Sequence, residues 1–124
     1  MTPAVILVAG GTRNWRARVA STLEAEGYAV RETATCSGAL AMAAESRPDL
    51  VLLDLRLPDG DGFGLLARLR ALPGGSTVSI VAVVGALEDL GSDRVVQADF
   101  TDYVVTPHDP ARLLQTIRTH LPLR

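Results

Sequence analysis

The sequence contains no lysine; all twelve of its basic residues are arginine. Any chemistry that needs a lysine amine within this chain is therefore excluded. Cysteine occurs once, as Cys36, which rules out an internal disulfide and fits a reducing compartment. Aromatic residues make up only 4% of the chain, and Trp15 is its single tryptophan. Neither sign of charge is in large excess: the formal net charge is −2. Non-specific nucleic-acid binding needs clustered positive charge, so no nucleic-acid partner is expected. No apolar run reaches the roughly 18 residues of a membrane span. The N-terminus has no basic stretch ahead of an apolar segment, so a cytoplasmic location is expected, with no signal peptide and no membrane partner. Acidic residues are missing from the whole N-terminal stretch, the first being Glu24.

What is present suits one globular domain over residues 1–124. The chain is 48% hydrophobic, which argues against disorder. A chain of this size buries roughly two-thirds of its unfolded surface and can hold a core without staples.

Apolar runs alternate with helix-like stretches, and no internal repeat is evident. Ala4–Ala9 is a continuous apolar run. Arg13–Glu26 places Trp15, Val19 and Leu23 on one side at helical spacing, and Gly27 is a natural stop. Tyr28–Glu32 reads as a short strand. Ser37–Ser46 is an alanine-rich helix that must end before Pro48. Leu50–Leu53 is apolar throughout and runs into Asp54. Residues 58–62 read as a loop. Phe63–Leu72 is helical, with Leu65, Leu66, Leu69 and Leu72 inward. Ser79–Val84 is apolar, Leu87–Ala98 is a weaker helix interrupted by Gly91, and Asp102–Val105 is strand-like. Asp109 caps a last helix that has Pro110 at its first position and carries Leu113, Leu114, Ile117 and Leu121 inward. Continuous apolar strands alternating with amphipathic helices imply a parallel sheet covered on both faces. Ligands of such sheets sit at the carboxyl ends of the strands. That edge gathers residues 9–13, 54–62, 84–86 and 105–108.

Asp54 is the prominent group there. A carboxylate ending a buried strand suits a nucleophile or a metal ligand, or else a loop cap paired with an arginine. The flanking residues shift the balance toward the first. Pro48-Asp49-Leu50-Val51-Leu52-Leu53-Asp54-Leu55-Arg56-Leu57-Pro58-Asp59-Gly60-Asp61-Gly62 resembles the phosphoacceptor segment of response-regulator receiver domains, and the alternation of strands and helices extends the resemblance over nearly the whole chain. It implies a flavodoxin-like α/β fold: a doubly wound five-stranded parallel sheet in order 2-1-3-4-5, with two helices on one face and three on the other. It also implies a bacterial two-component signalling module rather than an enzyme. Asp54 stands at the phosphoacceptor position. In the family, magnesium held by an acidic pair after the first strand, a hydroxyl residue and a lysine neutralise the phosphoryl oxygens.

The same resemblance exposes departures. Gly10 and Gly11 stand where the acidic pair would be, so magnesium binding is expected to be weak or absent and no cofactor is implied. Val84 replaces the hydroxyl residue and cannot donate a hydrogen bond. Thr106 stands in the lysine's place before Pro107, a peptide that is cis in the family. Tyr103 occupies the aromatic switch position, and His108 follows the proline. Asp59 and Asp61 lie in the neighbouring loop, where aspartate beside glycine favours turns. Lost donors in comparable sites each cost about 2.7–4 kcal/mol of transition-state stabilisation. The resemblance therefore points to an atypical receiver with a degenerate phosphorylation pocket. Its signal would be protein–protein contact through the face formed by residues 87–98, 102–105 and 109–120, toward a kinase, an effector or a second copy. A conventional regulator phosphorylated on Asp54 is the alternative.

The first loop admits other readings. Val8-Ala9-Gly10-Gly11-Thr12 opening a helix looks like the start of a short-chain dehydrogenase. However, Asn14 and Arg16 stand where further glycines are required, and Trp15 would crowd the turn. Gly10, Gly11 and Thr12 beside Arg13 could instead form an anion-binding nest, giving a small-anion or nucleotide sensor. Arg56 could pair with Asp54 in place of a metal. His108, His120 and Cys36 are not spaced as a metal site and fit surface or packing roles.

Overall fold

The computed structural model describes residues 3–84, 100–105 and 110–121. The expected helix at Leu87–Ala98, the Thr106-Pro107 peptide, His108 and the Asp109 cap lie outside the described residues. The strands of the main sheet are β1 (Val5–Ala9), β2 (Ala29–Thr33), β3 (Leu50–Asp54), β4 (Ser79–Val84) and β5 (Asp102–Val105). The described helices are α1 (Arg13–Ala25), α2 (Cys36–Glu45), α3 (Gly62–Ala71) and α4 (Pro110–His120).

All four strand pairs are parallel, in the order β2-β1-β3-β4-β5. This is the expected sheet order, with the order of strands reversing between β1 and β3. Their alternate side chains build two cores. Ile6, Val8, Leu50, Leu52, Val81 and Val83 pack against Val19 and Leu23 of α1 and Leu113 and Ile117 of α4. Leu7, Ala9, Val51, Leu53 and Ile80 pack against Ala39 and Ala43 of α2 and Leu65, Leu66 and Leu69 of α3. Each fully buried Leu or Ile contributes about 1.5–3 kcal/mol, so both faces must stay covered. That fixes the register and leaves only the strand ends for polar groups. The inward residues read from helical spacing occupy these cores, with Trp15, Leu72, Leu114 and Leu121 at their margins.

Element boundaries shift by one residue where a tertiary contact intervenes. α2 begins at Cys36 because two caps meet its N-terminus. Thr35 Oγ1 accepts from Gly38 N at 3.0 Å. Asp59 accepts from Cys36 N at 2.7 Å and from Ser37 N at 3.1 Å. Asp61 caps α3 by accepting from Gly64 N at 2.8 Å. Both loop aspartates thus serve helix ends. Of the segment 58–62 read as a loop, only Pro58 and Asp59 form the turn; Gly60–Asp61 pairs with Arg56–Leu57 in a short antiparallel ladder, and Gly62 already opens α3. β2 starts at Ala29, after Tyr28 has turned into the core with its hydroxyl donating to the Leu121 carbonyl at 2.7 Å.

Two predictions follow from these contacts. Tyr28→Phe keeps the packing but leaves the Leu121 carbonyl without that donor. It should destabilise the fold by about 0.5–1.5 kcal/mol in urea unfolding. The Cys36 and Ser37 N–H bonds hold the Asp59 carboxyl below its ordinary pKa. A depressed folded value contributes stability above the unfolded value of about 3.9 and loses it as pH falls through the folded value. Asp59→Ala should lower Tm at neutral pH, and the gap between variant and parent should close as the buffer is taken toward pH 3.

Candidate functional site

Asp54 is the last residue of β3 and lies in register with Val83 of β4. Four buried residues precede it, and the strand brings its carboxylate half out of the core at the carboxyl edge. Its Oδ1 accepts from the Arg56 backbone N–H at 2.8 Å. Burial pushes the Asp54 carboxyl above its usual range, outweighing the Arg56 N–H bond and the Arg56 guanidinium charge, which both lower it. Arg56 thus acts on Asp54 through both its backbone and its charge, and its side chain is exposed.

The β1–α1 turn lies against this carboxylate. Gly10 and Gly11 both adopt positive φ, +92° and +71°, a region that side chains rarely tolerate. A Cβ placed on Gly10 would lie 2.7 Å from the Asp54 Cβ and 3.1 Å from Leu57 Cδ2. One on Gly11 would lie 2.4 Å from the Trp15 ring. The room an acidic side chain would need at either position is occupied. Among the described residues, no three His, Cys, Asp or Glu side chains group as a metal site. The residues present do not fit a divalent cation held by an acidic pair.

The polar groups of the turn are also engaged. The Gly10 N–H donates to the Thr33 carbonyl at the end of β2, at 2.9 Å. Thr12 caps α1 by accepting from Trp15 N at 3.0 Å. The Gly10 and Gly11 carbonyls accept from Arg16 Nη1 at 3.2 and 2.8 Å. Arg16 is a participant that spacing alone did not single out. The available signal was a cation in the first turn of a helix with no acidic residue there.

Val84 ends β4, fully buried and paired with Val105. Tyr103 lies on β5 opposite Ala82, 50% exposed. Thr106 lies outside the described residues. The fold therefore brings Gly10, Gly11, Asp54 and Arg56 to one place, with Val84 at the neighbouring strand end. On the outer side, His120 Nε2 lies 2.8 Å from Asp102 Oδ2, tying α4 to β5. Cys36 is buried within the α2–α3 core, where burial raises its thiol pKa.

The chain is 40% identical over 98 residues to the transcriptional regulatory protein KdpE of Mycobacterium tuberculosis, covering 77% of this chain and 41% of that protein. It spans less than half the length of such regulators. The chemotaxis response regulator CheY4 of Vibrio cholerae is 26% identical with a TM-score of 0.90, covering 97% of this chain and 100% of that one. The receiver domain of the Pseudomonas aeruginosa sensor histidine kinase PA1611, which holds a magnesium ion in its active-site cleft, is 28% identical with a TM-score of 0.85. That match covers 96% of this chain and 98% of that one. No described helix is long and apolar enough to cross a membrane. The model of the response regulator receiver domain matches residues 6–118; with this sheet order and an aspartate at the end of β3, the chain belongs to that family of two-component signalling domains.

Proposed function

We propose that this chain is an atypical receiver that signals by protein–protein contact without magnesium-dependent phosphorylation of Asp54. The observation that carries this is the seating of Gly10 against Asp54. The Asp54, Leu57 and Trp15 side chains fill the space an acidic residue would need, and both turn glycines have a conformation an aspartate rarely adopts. Val84 offers no hydroxyl beside it, and the chain has no lysine to neutralise a phosphoryl group. Phosphoryl transfer depends on positioning and charge neutralisation, and little of either remains around the carboxylate. The output face expected from the sequence is residues 87–98, 102–105 and 109–120, of which β5 and α4 are described. Within it, half-exposed Tyr103 stands beside the Asp102–His120 pair. A kinase, an effector or a second copy would dock there.

Asp54 keeps a conventional phosphoacceptor as the second reading, because its place at the sheet edge is what in-line attack requires. An anion site at the glycine turn is less favoured: the Gly10 N–H is already bound to Thr33, and an acidic partner, Glu32, lies nearby.

Intact mass after incubation with acetyl phosphate and magnesium separates the first two. No phosphoryl adduct is expected on the wild type, as on an Asp54→Asn control. An adduct on the wild type alone would establish the conventional reading. Because the folded carboxyl pKa is raised, ionised Asp54 costs stability as pH rises. Asp54→Asn should therefore be at least as stable as the parent at neutral pH. Gly10→Asp should add no magnesium affinity in calorimetric titration. It should cost about 2–4 kcal/mol, from the left-handed backbone and the overlap with Asp54.

A further inference from the structure

Arg16 occupies an unfavourable place for a cation. It lies in the first turn of α1, where the helix dipole presents partial positive charge and no acidic residue offsets it. Local preference would put aspartate or glutamate there. A choice that conflicts with local preference needs a compensating gain, and the side chain shows one. Its Nη1 donates to both turn carbonyls, at 2.8 and 3.2 Å. Its Nε lies 3.6 Å from Glu32 Oε1 on β2, and the side chain is only 13% exposed. Arg16 thus grips the turn while Glu32 pairs with the Arg16 guanidinium.

The turn it grips is costly to order. Two consecutive glycines lose more backbone freedom on folding than any other pair, and hydrogen bonds from a charged donor are the strong kind. The Gly10 backbone also sets how closely the chain lies against Asp54.

We propose that Arg16 is the built-in cation of this pocket: its guanidinium, tethered by Glu32, fixes the β1–α1 turn beside Asp54 without a bound divalent ion. This rests on reading the pocket as one that works without metal, and it names the residue that sets its shape. Arg16 is a positioning residue, since it touches the turn and not the Asp54 carboxylate.

Hydrogen exchange on the intact chain tests it. In the wild type, exchange across residues 10–12 should be the same in EDTA and in 10 mM magnesium chloride. Arg16→Met keeps the aliphatic packing and removes the donors. Its turn amides should exchange at least tenfold faster, with peptides from α4 unchanged. Should Arg16→Met fail to fold, Glu32→Gln cuts only the tether and should speed the same amides by a smaller factor. Methylguanidinium at 10 mM should slow the turn again in Arg16→Ala, where methylammonium should not. Unchanged turn exchange in both Arg16→Met and Glu32→Gln would overturn the proposal, as would a wild-type turn that slows on adding magnesium. A phosphoryl adduct on Asp54 would sink the pseudo-receiver reading, and the magnesium comparison on the unphosphorylated wild type would then decide this one separately.

Discussion

Covering both faces of one parallel sheet is the constraint from which the rest of the molecule follows. β1, β3 and β4 are buried over almost their whole length. A polar side chain inside them would be desolvated without partners. The chain can therefore place a carboxylate only where a strand leaves the core. Asp54 sits at that point on β3, and its raised pKa records how incompletely it has left. The reversal of strand order between β1 and β3 brings the turn after β1 against the same carboxylate. Fold and site thus share one cause.

The pocket's character then depends on a few backbone atoms. In a metal-holding receiver, side-chain carboxylates after β1 would face the phosphoacceptor. Here two left-handed glycines turn carbonyls toward Arg16, and one of them lies in van der Waals contact range of Asp54. The guanidinium charge that acts on Asp54 is that of Arg56, while Arg16 holds the turn carbonyls. At Gly10 and Gly11 the turn's geometry leaves no room for a side chain without displacing Asp54, Leu57 or Trp15.

Other carboxylates have structural work. Asp59 and Asp61 close the N-termini of α2 and α3, satisfying backbone donors that a helix cannot pair internally. Asp102 holds His120 and so joins α4 to β5. Two acids beside the site are thereby committed to holding the helices that flank it.

Sequence by itself determined the layered fold. Apolar runs at residues 4–9, 50–53 and 79–84 are too short for core helices and read as strands buried on both faces, and the helical stripes supply the covering. It also determined that Asp54 ends a strand and that Gly10, Gly11 and Val84 cannot do the work of acids or a hydroxyl, because those are properties of residue type. Tertiary structure alone decided the rest. The reach of Asp59 to the start of α2 joins residues 23 apart in sequence, and no local pattern encodes such a contact. The grip of Arg16 on the turn arises because α1 starts where β1 and β2 end side by side. The closeness of Gly10 to Asp54 is set by strand pairing. Residue types fix what a group can do; which groups meet is settled only when long-range pairing brings distant backbone to the same edge.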